Sequence, residues 1–203
     1  LGLVTYQPKG LKKSVKVQAS LAEVSADLFI VVAYGKILPP EILALPKHGC
    51  INVHGSLLPA YRGAAPIQWA LLKGEKETGI TTMLMDEGMD TGDMLIQKKL
   101  PITRMDTAQT LSEKLAQLGA EALLETIPLW LAGELKPQKQ EDSQATYAPL
   151  LSRADGLIDW KHSTDSIDCH IRGLHPWPEA YTYFRGKTLK IKADEELGLV
   201  TRL

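Results

Sequence analysis

Asn52 and His54 stand two residues apart at the end of a short run, Gly49-Cys50-Ile51-Asn52-Val53-His54, and Asp90 lies just past a later apolar stretch, Ile80 to Met85. Residues two apart on a strand project to the same face, so an amide donor and an imidazole can converge there on one substrate atom. Two donors aimed at an oxygen stabilise a developing oxyanion, and a nearby carboxylate holds an imidazole protonated and oriented. Such a set would serve acyl transfer. The same residues also have a plainer reading. His54 can be a structural group, Asn52 can satisfy backbone at a turn, and Asp86, Glu87, Asp90 and Asp93 can form a solvated acidic loop turned by Gly88 and Gly92.

Other chemistries fit less well. His48, Cys50 and His54 lie within seven residues, but structural zinc takes ligands from two separated segments and no second Cys/His pair is near, so no metal is expected. Neither G-x-G-x-x-G nor G-x-x-x-x-G-K-[ST] occurs, which leaves a nucleotide phosphate loop unsupported. G-x-S-x-G does not occur either, and Ser56 follows His54 too closely for an ordinary nucleophile elbow. Cys50 and Cys169 form no close pair and read as buried thiols rather than a disulfide.

The elements that would position the three residues alternate in type. Lys12 to Val24 has helical spacing at Val15, Ala19 and Ala22. Leu28 to Val32 is a continuous apolar, β-branched run, the pattern of a strand buried on both faces, whose carboxyl end should border a ligand crevice. Pro39 and Pro40 open a helix that closes at Pro46. Residues 49–54 form a second strand, Ile67 to Lys73 a helix, and Ile80 to Met85 and Met94 to Ile102 two further strands. Asp106 with Gln109 three residues on predicts a capping box, and Leu111, Leu115, Leu118 and Ala122 follow at helical spacing. Strand and helix in alternation predict an α/β fold, a Rossmann-like parallel or mixed sheet covered on both faces.

Leu135 to Gln144 turns polar, holds Pro137 and lacks periodicity, so residues 135–150 are expected to link two units. Residues 1–134 would be the catalytic domain. Residues 151–203 would begin a second, β-rich domain, with a helix at Ser163 to Arg172 and a hairpin from Tyr181 to Lys192 turning at Arg185-Gly186-Lys187. The chain opens with Leu1 and runs at once into an apolar Leu3-Val4-Thr5-Tyr6, and the closing hairpin is too short to complete a β domain. A piece of a longer protein, of low stability when isolated, is the expectation.

A net charge of -1 gives no global argument for a nucleic-acid partner. Residues 151–203 hold eight Lys or Arg against eight Asp or Glu, although Arg185, Lys187, Lys190 and Lys192 crowd together. Such a stripe can meet phosphates, and it can equally protect an edge strand. No run approaches the roughly 20 apolar residues of a membrane span, and the opening lacks a signal-peptide pattern, so a cytoplasmic monomer is expected.

The stretch Asn52-Val53-His54-Gly55-Ser56-Leu57-Leu58-Pro59, continued by Tyr61-Arg62-Gly63-Ala64-Ala65-Pro66-Ile67, closely resembles the signature of the 10-formyltetrahydrofolate-dependent formyltransferases. Met89-Asp90-Thr91-Gly92-Asp93 resembles that family's second signature, and Val32 to Pro39 resembles its folate-enclosing loop. The resemblance spans nearly the whole chain. It implies catalytic roles for Asn52, His54 and Asp90, folate contacts at Ser56, Leu57, Leu58 and Pro59 and around Tyr34 and Gly35, 10-formyltetrahydrofolate as co-substrate, and no metal. Arg62 to Ile67 and His175-Pro176-Trp177-Pro178 resemble the branch that formylates initiator methionyl-tRNA, although that branch carries Asn where this sequence has His175. In that branch the trailing residues would start an OB-like domain that contacts tRNA. Two sister activities are the alternatives: formylation of an aminosugar nucleotide, to be separated by the residues after Arg62, and hydrolysis of formyltetrahydrofolate, which would depart from His54-Gly55. A folate-binding unit without turnover is a third.

Overall fold

The computed structural model describes residues 5, 7, 8, 10, 11 and 14–193. Most of the apolar run at Leu3 to Tyr6, and the residues Lys12, Lys13 and Arg202, lie outside that set.

Four strands make the main sheet, in the order β1 (Phe29–Val31), β2 (Cys50–His54), β4 (Glu77–Leu84), β5 (Met94–Pro101). β1 runs parallel to β2, and both later pairings are antiparallel. The sheet is therefore mixed, in line with the α/β expectation. β4 is its centre and is buried from Thr78 to Met83. Thr81 and Thr82 are fully buried with their hydroxyls bonded: Thr82 Oγ1 lies 2.9 Å from Thr126 Oγ1, and Thr81 Oγ1 donates to Ser56 O at 2.7 Å. A β-branched residue suits a central strand once its hydroxyl finds a partner.

β1 departs from its expected burial on both faces. Ile30 is 38% exposed, because β1 lies at the rim of the sheet and pairs only with β2 among the described residues. Phe29 and Val31 point the other way and pack with Leu11, Val17, Leu38 and Ile42 from α1 (Val15–Glu23), α2 (Pro40–Leu43) and their neighbours. Both helices are shorter than their sequence patterns suggested.

The long helix α4 (Ala108–Leu131) covers the opposite side. Leu111, Leu115 and Ala122, spaced as the pattern required, meet Ile80, Val53 and Leu100 of the sheet and Leu71 of α3 (Pro66–Leu72). Gly119 allows the close approach, since a Cβ there would sit 3.1 Å from Val53 Cγ1. The capping box is shifted by one residue from the sequence expectation. Thr107 is the N-cap and exchanges bonds with Thr110, while the Asp106 carboxylate is committed to Thr103 and Lys114.

Residues 138–149 are bonded to the sheet and its loops at several points. Gln138 exchanges backbone bonds with Met94, and β6 (Tyr147–Ala148) pairs in parallel with β3 (Arg62–Gly63). Beyond it, α5 (Thr164–Gly173) packs against α3. The hairpin of β7 (Ala180–Phe184) and β8 (Lys187–Ile191) turns at Arg185 and Gly186, both at positive φ as a two-residue hairpin turn of this twist requires. No helix among the described residues is long and apolar enough to cross a membrane.

Candidate active site

β2 brings Asn52 and His54 to one face, as period two demands. Asp90 arrives by a longer route. Because β4 runs antiparallel to β2, with Ile51 opposite Leu84, its end lies beside the start of β2 rather than beside His54. Residues 85–93 must therefore double back across Asn52. The fold-back is closed by Leu84 N–H on Asp93 O at 2.9 Å and by Gly92, where a Cβ would fall 1.8 Å from Leu84 O. Only glycine fits that contact. The Asp86 carboxylate takes the Gly88 N–H and the Thr91 hydroxyl, so that acidic residue organises the loop. Asp90 itself sits at φ 56°, in the left-handed region.

That bend aims the Asp90 carboxylate inward. Oδ2 accepts the Gly63 N–H at 2.8 Å, and Oδ1 lies 3.4 Å from Asn52 Nδ2 and 3.7 Å from His54 Nδ1. The three residues thus meet around one carboxylate oxygen. His54 is 5% exposed, and its Nε2 lies 2.9 Å from Tyr61 O. A carbonyl only accepts, so Nε2 carries a hydrogen and Nδ1 is the nitrogen that faces Asp90. Tyr61, also left-handed at φ 62°, is held by its N–H on Thr146 Oγ1 and by its phenol on Glu75. Burial, together with that carboxylate, pushes the Tyr61 phenol well above its ordinary value, so it stays protonated.

The remaining residues that the sequence marked fall in two groups. Ser56 and Leu58 are buried and build the loop after β2: Ser56 Oγ donates to Ala60 O, and Leu58 N–H reaches Thr81 Oγ1. Leu57 and Pro59 keep partial exposure, and the Leu58–Pro59 peptide is cis. Tyr34 and Gly35 lie on the exposed turn that leaves β1. Val31 is in register with Asn52, which puts that turn at the Asn52 end of the sheet but outside the hydrogen-bonded cluster. Among the described residues no group of three or more His, Cys, Asp or Glu side chains is placed to hold a metal ion. Cys50 donates its thiol toward Leu43 O, and burial pushes its pKa up to about 11. The sequence reading did not find Gly63 N–H, Tyr61 O, Thr146 or Gln140 as parts of this cluster. Only the Tyr61-Arg62-Gly63 segment carried a signal, as part of the signature.

Residues 4–127, more than half of the chain, match the family model described as formyl transferase, and residues 150–198 match that of the formyl transferase C-terminal domain. The chain belongs to the formyl transferase family. Among curated relatives it is 55% identical over 190 residues to a methionyl-tRNA formyltransferase of Caldanaerobacter subterraneus, covering 94% of this chain and 62% of that protein. A methionyl-tRNA formyltransferase structure from Clostridium thermocellum superposes with a TM-score of 0.69 at 24% identity, over 86% of this chain and 74% of that one. HypX from Aquifex aeolicus, solved with tetrahydrofolic acid, has the same fold at a TM-score of 0.74 and 20% identity, over 87% of this chain and 31% of that one. The formyl transferase chain thus spans about three-fifths of the length of the curated relatives it matches.

Proposed function

We propose that the protein transfers the formyl group of 10-formyltetrahydrofolate to the amino group of initiator methionyl-tRNA, supporting translation initiation as a cytoplasmic monomer. The observation that carries this reading is the meeting of Asn52 Nδ2, His54 Nδ1 and the Gly63 N–H on the Asp90 carboxylate inside a formyl transferase fold. The folate is taken to lie against the loop of Ser56, Leu57, Leu58 and Pro59 and the turn at Tyr34 and Gly35.

In the proposed reaction the amine nitrogen attacks the formyl carbon, and the carbonyl electrons move to oxygen. Asn52 Nδ2–H and a protonated His54 Nδ1 donate to that oxyanion. Asp90 pairs with His54 and draws off the surplus proton of the attacking amine, directly or through water. Collapse re-forms the carbonyl, breaks the bond to the folate nitrogen and leaves a proton on it. Because Nε2 is bonded to Tyr61 O, the imidazole acts through one face only. No step requires a metal.

Identity of 55% to a named methionyl-tRNA formyltransferase, and the Arg62-Gly63-Ala64-Ala65-Pro66-Ile67 segment, favour charged tRNA over an aminosugar nucleotide as acceptor. The test supplies the protein and 10-formyltetrahydrofolate with methionyl-tRNA, with an aminosugar nucleotide, or with neither. Formyl-methionyl-tRNA as the sole formylated product, with tetrahydrofolate released alongside it, is expected. Formylated sugar without formylated tRNA would move the protein to the sister activity. Formate release with no acceptor would make it a hydrolase, and folate binding with no turnover a binding unit.

A further inference from the structure

Gln140 lies between the two family matches, in a polar stretch that neither one covers. Its side chain is half-buried and fully used. Nε2 donates to Asp90 O at 2.7 Å and to Gly92 O at 2.8 Å, while Oε1 accepts from Arg62 Nε at 2.9 Å. The amide has only one sensible orientation, since two carbonyls need donors and a guanidinium N–H needs an acceptor. Arg62 is 2% exposed and spends its other arm on Asp142 at 2.8 Å. Both partners of Arg62 thus come from residues 138–148, and Gln140 is the one that also reaches the turn that carries Asp90.

The turn needs such an anchor. Asp90 is a non-glycine residue at φ 56°, a conformation that costs on the order of 1 kcal/mol and persists only when its surroundings hold it. The same φ puts Oδ2 on the Gly63 N–H and Oδ1 beside Asn52 and His54. Relaxation to a negative φ would swing the carboxylate away from all three. Gln140 bonds the backbone oxygens of Asp90 and of the residue two beyond it, which fixes both sides of the bend.

We propose that Gln140 is a positioning residue for Asp90, so that the segment between the two family domains sets the geometry of the catalytic carboxylate. The inference rests on the formyl-transfer reading of the site, but part of its test does not. Two variants separate positioning from simple docking: Gln140→Glu, which keeps an acceptor for Arg62 and removes the donors to the turn, and Gln140→Leu, which removes both.

The first measurement is hydrogen exchange of single amides in the protein. In both variants the Gly63 amide should exchange about tenfold faster or more, the scale of one lost hydrogen bond, while the Arg62 and Ala64 amides, bonded to Thr146 O and Ala148 O, keep their protection. An unchanged Gly63 amide, or loss of protection at all three, would overturn the proposal. The second is kinetic. Turnover should fall about 10- to 100-fold with both KM values within about threefold, and adding Gln140→Leu to Asp90→Asn should cost almost nothing beyond the loss from Asp90→Asn alone, as for groups acting as a unit. Losses that multiply would overturn it. If the parent transfers no formyl group the functional reading fails, and the Gly63 amide still decides the role of Gln140.

Discussion

A carboxylate with two competing duties needs both of its oxygens fixed, and Asp90 has that arrangement. Gly63 N–H takes Oδ2, which leaves Oδ1 for Asn52 and His54. Gly63 can do this because it sits at φ 114° with its Cα against the neighbouring strand, where a Cβ would lie 2.8 Å from Ala148 O. Gly63→Ala should therefore both strain the backbone and push β3 off β6. Roughly 1–3 kcal/mol of stability should be lost in thermal melting, with reduced transfer by whatever folds. A variant that melts with the parent would show that the β3 and β6 contact yields more easily than its geometry implies. Of this cluster, Asn52 and His54 were readable in the sequence because strand period alone fixes their common face. Asp90 was marked only as a carboxylate past a strand end and joined the other two through the signature, since its strand runs antiparallel and nothing local says that residues 85–93 fold back. Gln140 and Thr146 gave no signal, because a lone amide and a lone hydroxyl in a polar stretch look like solvated residues.

Among the elements, α4 was the most legible and β1 the least, for reasons of packing. Leu111, Leu115, Leu118 and Ala122 of α4 repeat over about three turns against the sheet, whereas β1 is three residues long and its burial depends on what lies beside it. The head of α4 shows where a local pattern gives way to tertiary bonding. Burial would raise the pKa of Asp106, but the Lys114 ammonium at 2.6 Å and the Thr103 N–H and hydroxyl outweigh it and hold the carboxyl below its usual value. A carboxyl lowered in the folded state binds its proton less readily there than in the unfolded chain, so its contribution is present above the ordinary carboxyl pKa of about 4 and lost as pH falls through the folded value. In urea unfolding, Asp106→Asn should be clearly less stable than the parent at pH 7, and the gap should narrow below about pH 4. A gap that stays constant down to pH 2 would mean that the charge on Asp106 is not what stabilises the helix head.

For the molecule as a whole, the connection between the two family domains is as much a part of the site as the strands are. Residues 138–148 extend the sheet at Met94, pair with the signature loop at Arg62 and Gly63, and bond the Asp90 turn through Gln140. Composition predicted a linker there, because backbone pairing of a short polar segment leaves no periodicity to read. The terminal hairpin was the opposite case, since Arg185-Gly186 between alternating residues announces its turn in sequence. What unites the fold is a geometry in which three separated segments converge on one carboxylate, and the central claim is that this carboxylate works in formyl transfer. The most direct test is the turnover of formyl transfer to initiator methionyl-tRNA by the parent and by Asp90→Asn, with both shown to melt alike. The variant should lose about 10²- to 10⁴-fold in turnover, the range expected for a group that moves a proton in the transition state, with KM for folate little changed. An Asp90→Asn protein that turns over within about threefold of the parent would contradict that claim.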